Sequence, residues 1–173
     1  MENVDNEKTA GLDQRRALSV GKDGLVYHSD PVAKETTLLG CPKLTLWISP
    51  DVPDTDVTAE LDEILADGTS IALWSDVRRL RYRDSVRQEK LVKLGESVRC
   101  DFNPGLFIAR RMAKGSRLRL VVTAPNSIFF EKNYNSGGVV ANETAKDART
   151  AHIRILHDAE HASVLDTPIA PAP

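Results

Sequence analysis

Lys114–Thr123, which reads KGSRLRLVVT, is the stretch that decides the fold. Its apolar and polar residues alternate, so an extended chain places them on opposite faces. One face carries Leu118, Leu120 and Val122, and the other carries Arg117, Arg119 and Thr123. The alternation predicts a core strand of a sheet with one buried face.

The segment that follows, Ala124–Gly138, reads APNSIFFEKNYNSGG and is too rich in turn-forming residues to be a helix or a strand. We expect an ordered structural loop at Asn133, Asn135, Gly137 and Gly138. The asparagine side chains should bond to the backbone, and both glycines should take positive φ.

The same alternation marks strands in the rest of the chain. They are predicted at Leu25–Ser29, about residues 36–49, Val57–Asp62, Ile71–Trp74, Val98–Phe102, Ala151–Ile155 and about residues 164–169. Asp67-Gly68 predicts a type I′ turn that pairs the strands on either side of it. The run Leu106–Ala113 fits a strand and a short helix equally well and is left unassigned. About eight closely spaced strands without a sustained helical period predict an antiparallel sandwich or barrel.

Composition limits the function classes. The chain has 173 residues and a formal net charge of -2, which gives no overall attraction to nucleic acid or to anionic membranes. No apolar run has the roughly 20 residues that a membrane-spanning helix needs. The start MENVDNEK lacks the apolar core of a signal peptide, so a cytoplasmic location is expected for the chain as given. Cys41 and Cys100 lack a CxxC partner and are predicted to be buried thiols.

Several motifs together carry a resemblance to a known family. KGSRLRL, KNYNSGG, DART and HDAEHAS follow in this order after DQR, DGLVYHSDP, PDTD and RLRYRDS. In sequence and spacing they resemble the C-terminal non-catalytic domain of X-prolyl dipeptidyl-peptidase and cocaine-esterase-type hydrolases. Ser116 departs from the histidine that is common there, and the Ser-Ser-Asn-Phe-Pro motif is missing.

The resemblance implies an all-β, jelly-roll β-sandwich of galactose-binding-like type. It also implies that the catalytic serine, aspartate and histidine lie in a separate α/β-hydrolase domain, in the same or an adjacent chain. We therefore expect a lead-in segment at residues 1–24, the sandwich at residues 25–169 and a disordered tail at residues 170–173.

Two strings imitate catalytic motifs. Gly68-Thr-Ser70-Ile-Ala72 has the spacing of a nucleophile elbow, but its glycine belongs to the hairpin turn and a strand follows instead of a helix. His157-Asp-Ala-Glu160-His161 matches the HxxEH order of zinc proteases, which requires a helix and a third ligand beyond it. A polar connection between the last two strands is the favoured interpretation, with no metal and no cofactor.

Other residue clusters admit a binding function. The basic run from Arg78 to Lys90 contains Arg81, Tyr82 and Arg83, and it could grip phosphates. Acidic residues lie among these positions, so a solvated surface or interface is favoured over nucleic-acid binding. The aspartates of residues 51–67 lack the spacing of an EF-hand loop and are assigned to turns instead of calcium.

Trp47 and Trp74 could form a sugar-stacking platform, but their apolar neighbours favour packing in a core or interface. Two hypotheses follow from these patterns. In the first, the chain is the accessory sandwich of a serine hydrolase; it shapes the active-site entrance, makes oligomer contacts and is inactive alone. The alternative is a free-standing carbohydrate-binding module on the same sandwich. A broad exposed apolar face would favour the first, and a groove with exposed tryptophan would favour the second.

Overall fold

The computed structural model describes residues 24–103, 105–125 and 130–170. The predicted lead-in and tail therefore lie almost wholly outside the described residues, as do Ile128 and Phe129 of the loop. Among the described residues there are ten strands, two short 3₁₀ turns and no α-helix. No helix in this part of the chain has the length and apolar character required to cross a bilayer.

The strands have the following bounds: β1 Gly24–His28, β2 Thr36–Gly40, β3 Lys43–Pro50, β4 Asp56–Ile64, β5 Ser70–Arg79, β6 Val98–Phe102, β7 Ile108–Met112, β8 Arg117–Thr123, β9 Ile153–Leu156 and β10 Val164–Asp166. The 3₁₀ turns span Leu80–Tyr82 and Val140–Asn142.

The strands form two main antiparallel sheets and one small sheet. The first sheet has the order β1-β8-β4-β5. In the second, β3 is central, with β6 along one edge and β10 and then β9 along the other. β2 and β7 pair separately, and a bridge between Leu38 and Ile169 joins β2 to the segment after β10. The predicted all-β sandwich is confirmed, whereas the galactose-binding-like type stays a prediction.

The core lies between the inner faces of the sheets, because alternate residues of each strand point inward. β4 and β8 contribute Val57, Ala59, Leu61, Leu120 and Val122. The facing layer contributes Leu44, Leu46, Ile48, Val98, Cys100 and Phe102, and β2 and β7 add Leu38, Ile108 and Met112. The alternation predicted from the sequence therefore places the inward residues of β8 correctly.

The opposite face of β8 is less exposed than the alternation predicts. Arg119 is 4% exposed, and its Nη2 lies 2.7 Å from Asp62 Oδ2 and 2.8 Å from Ser70 Oγ. Asp62 is directly opposite Arg119 in the β4 and β8 ladder. The expectation of a single buried face is therefore wrong at Arg119, because a buried ion pair occupies the other face.

Two local predictions also need correction. The single strand predicted over residues 36–49 is interrupted at Cys41 and Pro42. It ends at Gly40, where φ is +142° and a Cβ would lie 2.8 Å from Pro168. The Asp67-Gly68 hairpin does pair β4 with β5. A type I′ turn needs positive φ at both central residues, but only Gly68 has it, at +92°, so the turn is not type I′. The run at 106–113 forms β7.

Candidate functional site

Three connecting segments meet at one end of the sandwich. Residues 51–55 join β3 to β4, residues 80–97 join β5 to β6, and the segment from 124 to 152 joins β8 to β9. Asp56 is paired with Arg79, Ile48 with Val98, Thr58 with Thr123 and Pro50 with Ile153, so all six strand ends lie together. The motifs PDTD, RLRYRDS and KNYNSGG are thereby brought into one place.

The centre of this end is a set of polar side chains that we call the loop network: Asp54, Asp56, Arg79, Arg81 and Asn133. Asp54 is fully buried, and its two oxygens accept hydrogen bonds from the Arg81 backbone N–H at 2.8 Å and from Arg81 Nε at 2.7 Å. Asn133 Nδ2 donates to Asp54 Oδ2 at 2.7 Å and to Asp56 Oδ1 at 2.9 Å. One amide therefore ties the long loop to both aspartates.

Arg79 makes the second ion pair of the network. Its Nε and Nη2 donate to the two oxygens of Asp56 at 2.8 and 3.0 Å, the two-pronged geometry that suits a planar guanidinium. Nη2 also donates to the Glu131 carbonyl at 3.0 Å. The hydrogen bonds to Asp56 raise the pKa of Arg79 further above its already high value. Arg79 therefore keeps its positive charge.

The basic run predicted as a solvated surface turns inward at two of its three candidate positions. Arg81 is 2% exposed, and the Arg83 side chain is likewise 2% exposed. Arg83 Nη1 donates to the carbonyls of Leu80 and Lys90 at 3.0 and 2.6 Å, which closes the 80–90 loop. Tyr82 is half-buried and donates its hydroxyl to Glu89 at 2.7 Å. The surface assignment is wrong for Arg81 and Arg83, because Asp54 and two carbonyls offer them buried partners.

The asparagine loop has most of the conformation that we predict for it. Asn133 Oδ1 accepts the Asn135 N–H at 2.9 Å, and Asn135 Nδ2 donates to the Arg149 carbonyl at 2.8 Å. Positive φ occurs at Asn135, +64°, and at Gly137, +84°, where a Cβ would lie 2.8 Å from Pro53 Cγ. Gly138 does not take positive φ, contrary to the prediction, since Asn135 supplies the second left-handed residue.

Glu143 closes the loop from its far side. Its carboxylate accepts a hydrogen bond from the Ser136 hydroxyl. It also accepts the backbone N–H groups of Tyr134 and Gly138, both at 3.1 Å. These bonds, the one from Ser136 first, lower the pKa of Glu143 against the opposing effect of its partial burial. Glu143 was not among the residues predicted from the sequence, because no local motif indicates its contacts with Tyr134 and Gly138.

The two tryptophans do not form a common platform. Trp74, on β5, is 3% exposed and belongs to the core. Trp47, on β3, is half-buried and meets the His161 ring edge-on, with ring centroids 4.9 Å apart. They lie in different sheets, so they cannot stack on one sugar ring together.

The residues of the catalytic and metal motifs have other partners. Ser70 is 4% exposed and accepts the hydrogen bond from Arg119. His157 bonds to Tyr27, and His161 lies 3.1 Å from Asp158 in the connection between β9 and β10. Within the described ranges, no group of three or more His, Cys, Asp or Glu side chains has the arrangement of a metal site.

The aspartates that could suggest calcium each bind a neighbour instead. Asp51 pairs with His152, Asp54 with Arg81, Asp56 with Arg79 and Asp62 with Arg119, and Asp67 accepts the Thr69 N–H. Cys41 is half-buried and Cys100 is buried, and neither is in a disulfide. The carboxylates of these aspartates therefore form hydrogen bonds or ion pairs within the protein.

The loops that carry the loop network also carry exposed aliphatic side chains. Leu94 and Val86 are each 82% exposed, Val139 is 65% exposed and Leu91 is 42% exposed. Leu91 lies against Gly137, and Val92 N donates to the Pro53 carbonyl at 2.8 Å, so the loops that carry these residues are fixed to one another. We call these four residues the aliphatic patch. A rigid polar base with an apolar rim is suited to holding another protein surface.

The chain is similar in sequence to known proteins. A family model described as the X-Pro dipeptidyl-peptidase C-terminal non-catalytic domain matches residues 2–166. Cocaine esterase of Rhodococcus sp. (strain MB1 Bresler) is 30% identical over 159 residues, which are 92% of this chain and 28% of that protein.

Two solved structures share the fold. An aminopeptidase from a marine sediment archaeon, Thaumarchaeota archaeon, superposes with a TM-score of 0.83 at 19% identity, covering 92% of this chain and 28% of its own. An alpha-amino acid ester hydrolase gives a TM-score of 0.83 at 18% identity with the same coverage.

Proposed function

The chain belongs to the family of X-Pro dipeptidyl-peptidase C-terminal non-catalytic domains, and from that premise we propose that it is the accessory β-sandwich of a larger serine hydrolase. In this role it packs against a separate α/β-hydrolase domain that supplies the catalytic triad. The observation that carries the proposal is its length: the chain spans 28% of cocaine esterase and 28% of each of the two structural relatives.

The end that carries the loop network is the surface we assign to the catalytic domain. An association gains most when the contacting loops are already fixed, because ordering them on binding would cost conformational entropy. Here Asn133, Gly137 and Arg81 hold the loops through buried contacts. The aliphatic patch then offers apolar area whose removal from water is favourable, about 25 cal/mol for each Å².

The finer parts of the proposal concern what docking achieves. Loops held at the junction of two domains can form part of the wall of an active-site entrance, and so restrict which esters or amides reach the nucleophile. A second exposed apolar group on the small sheet and its flanking loops, Leu39, Leu106, Phe107 and Ile169, is available for contacts between copies of the hydrolase. The entrance and the oligomer contacts are separate roles that use separate surfaces.

A free-standing carbohydrate-binding module is less well supported. Sugar-binding sandwiches present aromatic faces to solvent, whereas Trp74 is in the core and Trp47 is covered on one side by His161. The exposed aliphatic side chains at the loop end fit a protein partner better than a polar sugar.

The test uses the α/β-hydrolase domain encoded in the same reading frame or in the adjoining gene, purified separately and titrated with this chain by calorimetry. We expect saturable binding, weakened at least about tenfold by Leu94→Asp, since a charge in a buried apolar contact costs more than about 1.4 kcal/mol. The control is Leu106→Asp, an equally drastic change at a leucine that is 49% exposed on the loop before β7. Absence of any hydrolase domain in that genomic region, or equal losses in both variants, would refute the proposal.

The chain alone is predicted not to hydrolyse esters, amides or X-prolyl peptides. Acyl transfer needs a nucleophile, a base and an oxyanion site within hydrogen-bonding reach of one another. Ser70 is committed to Arg119, and the described histidines bind Tyr27, Asp51 or Asp158 or lie on β1. Assays with p-nitrophenyl acetate and an Ala-Pro anilide should match buffer; turnover that disappears in Ser70→Ala would contradict this.

A further inference from the structure

We propose that a cleft between the two sheets, lined by none of the loop-network residues, binds a small uncharged organic molecule with an apolar body and one hydrogen-bonding end. The cleft has a volume of about 470 Å³ and opens beside β1 and β10. Its floor consists of Leu44 and Leu46 from β3 and Leu118 and Leu120 from β8. This inference does not rest on the proposed function.

The cleft exists because the two sheets are not closed on this side. Tyr27 lies opposite Leu120 in the β1 and β8 ladder, so it points toward the same interior as that leucine. The second sheet ends here at the short strand β10, of which Val164 is 51% exposed. Leu44 and Leu46 are each 2% exposed and Leu120 is 8% exposed, so a molecule in the cleft would contact them but would bury new apolar area mainly at the more exposed Val164.

The mouth carries a hydrogen bond that a ligand could exchange for its own. The Tyr27 hydroxyl lies 3.1 Å from His157 Nε2, and the two rings meet edge-on with centroids 5.6 Å apart. Ser163 also lines the cleft, but its hydroxyl already donates to the Leu156 carbonyl at 2.7 Å and accepts the Trp47 N–H at 2.9 Å. Tyr27 and His157 are bonded to each other at the mouth and can instead bond a ligand.

The lining fixes the class of ligand. Among the described residues, none that lines the cleft is Asp, Glu, Lys or Arg. A charged ligand would lose its hydration there without gaining a counter-charge, whereas an uncharged one loses little. The volume lies within the roughly 300–1,000 Å³ typical of small-molecule sites with mostly apolar walls and few polar groups. An alcohol, phenol, ester or amide with an aromatic or branched aliphatic body meets both conditions.

The test uses the intact chain with labelled leucine and valine methyl groups and benzyl alcohol as the probe, followed by NMR. We expect saturable shifts at Leu44, Leu46, Leu118 and Leu120 and not at core leucines away from the cleft. Tyr27→Phe should weaken benzyl alcohol several-fold while leaving toluene, which has no hydroxyl, unchanged. That difference separates a hydrogen bond to the ligand from a general loosening of the fold.

A matched pair of tryptophan variants tests the location. Val164→Trp places a large ring at the mouth on an exposed strand position, so it should fold and abolish binding. Arg99→Trp changes another exposed strand position, on β6, whose side chain is 58% exposed and does not line the cleft, and it should leave binding intact. The proposal is overturned if the intact chain shows no saturable shifts up to millimolar probe, as when the cleft is filled by its own chain or by another protein. Binding unchanged in Val164→Trp also overturns it.

Discussion

Removing the Asp54 carboxylate tests the loop network directly. In Asp54→Ala, Arg81 keeps its charge at a position that is 2% exposed but loses the partner that lies 2.7 Å from its Nε. Asn133 loses one of its two acceptors, and the Arg81 backbone N–H loses the other Asp54 oxygen. The substitution therefore leaves the buried Arg81 cation with only a 3.4 Å contact to the half-exposed Glu89, and leaves its backbone N–H without an acceptor. Such groups are costly because water cannot replace the lost bonds.

The expected loss is about 3–5 kcal/mol of unfolding free energy, the usual cost of breaking one partner out of a buried pair. For a domain of this size each kcal/mol lowers Tm by about 2–4 °C, so the fall should be about 6–20 °C. Asp84→Ala provides the control, since Asp84 pairs with Lys90 at 2.9 Å but its side chain is 53% exposed. An exposed pair of this kind contributes less than about 1 kcal/mol.

The assay is urea unfolding followed by Trp47 and Trp74 fluorescence, with the same curves recorded by circular dichroism to check two-state behaviour. Asp54→Ala with Arg81→Met should recover much of the loss, because the second change removes the stranded charge. If Asp54→Ala proves too unstable to purify, Asp54→Asn gives the milder step. If Asp54→Ala cost no more unfolding free energy than Asp84→Ala, the buried donors would not depend on Asp54, contrary to the argument.

Three further predictions concern the loop and the core. Gly137→Ala should destabilise the fold more than Gly95→Ala in thermal unfolding. Both glycines have φ above +80°, which costs about 1–2 kcal/mol for alanine, but only at Gly137 would a Cβ lie 2.8 Å from Pro53, so equal losses would argue against that close contact. The pKa of Glu143 is lowered in the folded state, so its stabilisation is complete above pH 4.5 and is lost as the pH falls through the folded value; Glu143→Gln should therefore flatten the acid limb of the stability profile, and an unchanged limb would be inconsistent. Burial raises the pKa of Cys100 to about 12, so a thiol reagent at pH 8 should modify half-buried Cys41 well before Cys100, which should react only on unfolding.

The sequence predicted the parts of the fold that depend on local alternation. β8 and β6 were predicted almost to the residue, because Leu120, Val122, Cys100 and Phe102 alternate without interruption. β2 and β3 were joined in error, although Gly40 and Pro42 are residues that interrupt strands. The close approach of Gly40 to Pro168, about 130 positions away in the chain, has no signature in a short window.

The site was predicted in part for the same reason. Asn133 and Asn135 stood out because asparagine and glycine mark ordered turns, but the partners of Asn133 lie in residues 54–56. Arg81 and Arg83 were assigned to the surface, because a mixed-charge run is usually solvated and its aspartate neighbours supplied nearby partners. The buried partner, Asp54, is 27 positions earlier, and only the pairing of β4 with β5 brings the two together.

The positions of the buried ion pairs suggest why this domain contains them. Well-packed apolar residues stabilise a core at least as well as buried ion pairs do, so such pairs are poor evidence for stability but can fix one geometry among several. Among the described residues, ion pairs with a buried carboxylate join separate segments; for example, Asp62 of β4 binds Arg119 of β8, Glu63 of β4 binds Arg110 of β7, and Asp54 binds Arg81 across two loops. In the first two cases the joined segments are strands, whose register the ladders and the apolar core already specify. At the loop end no ladder does this, so the directional bonds of Asp54 and Asn133 help to position the loops that carry the aliphatic patch, together with those of Arg83 and Val92. The double variant Asp54→Ala with Arg81→Met should accordingly recover stability without recovering affinity for the catalytic domain. Calorimetry measures that affinity, and full affinity in the double variant would mean that the network serves stability alone.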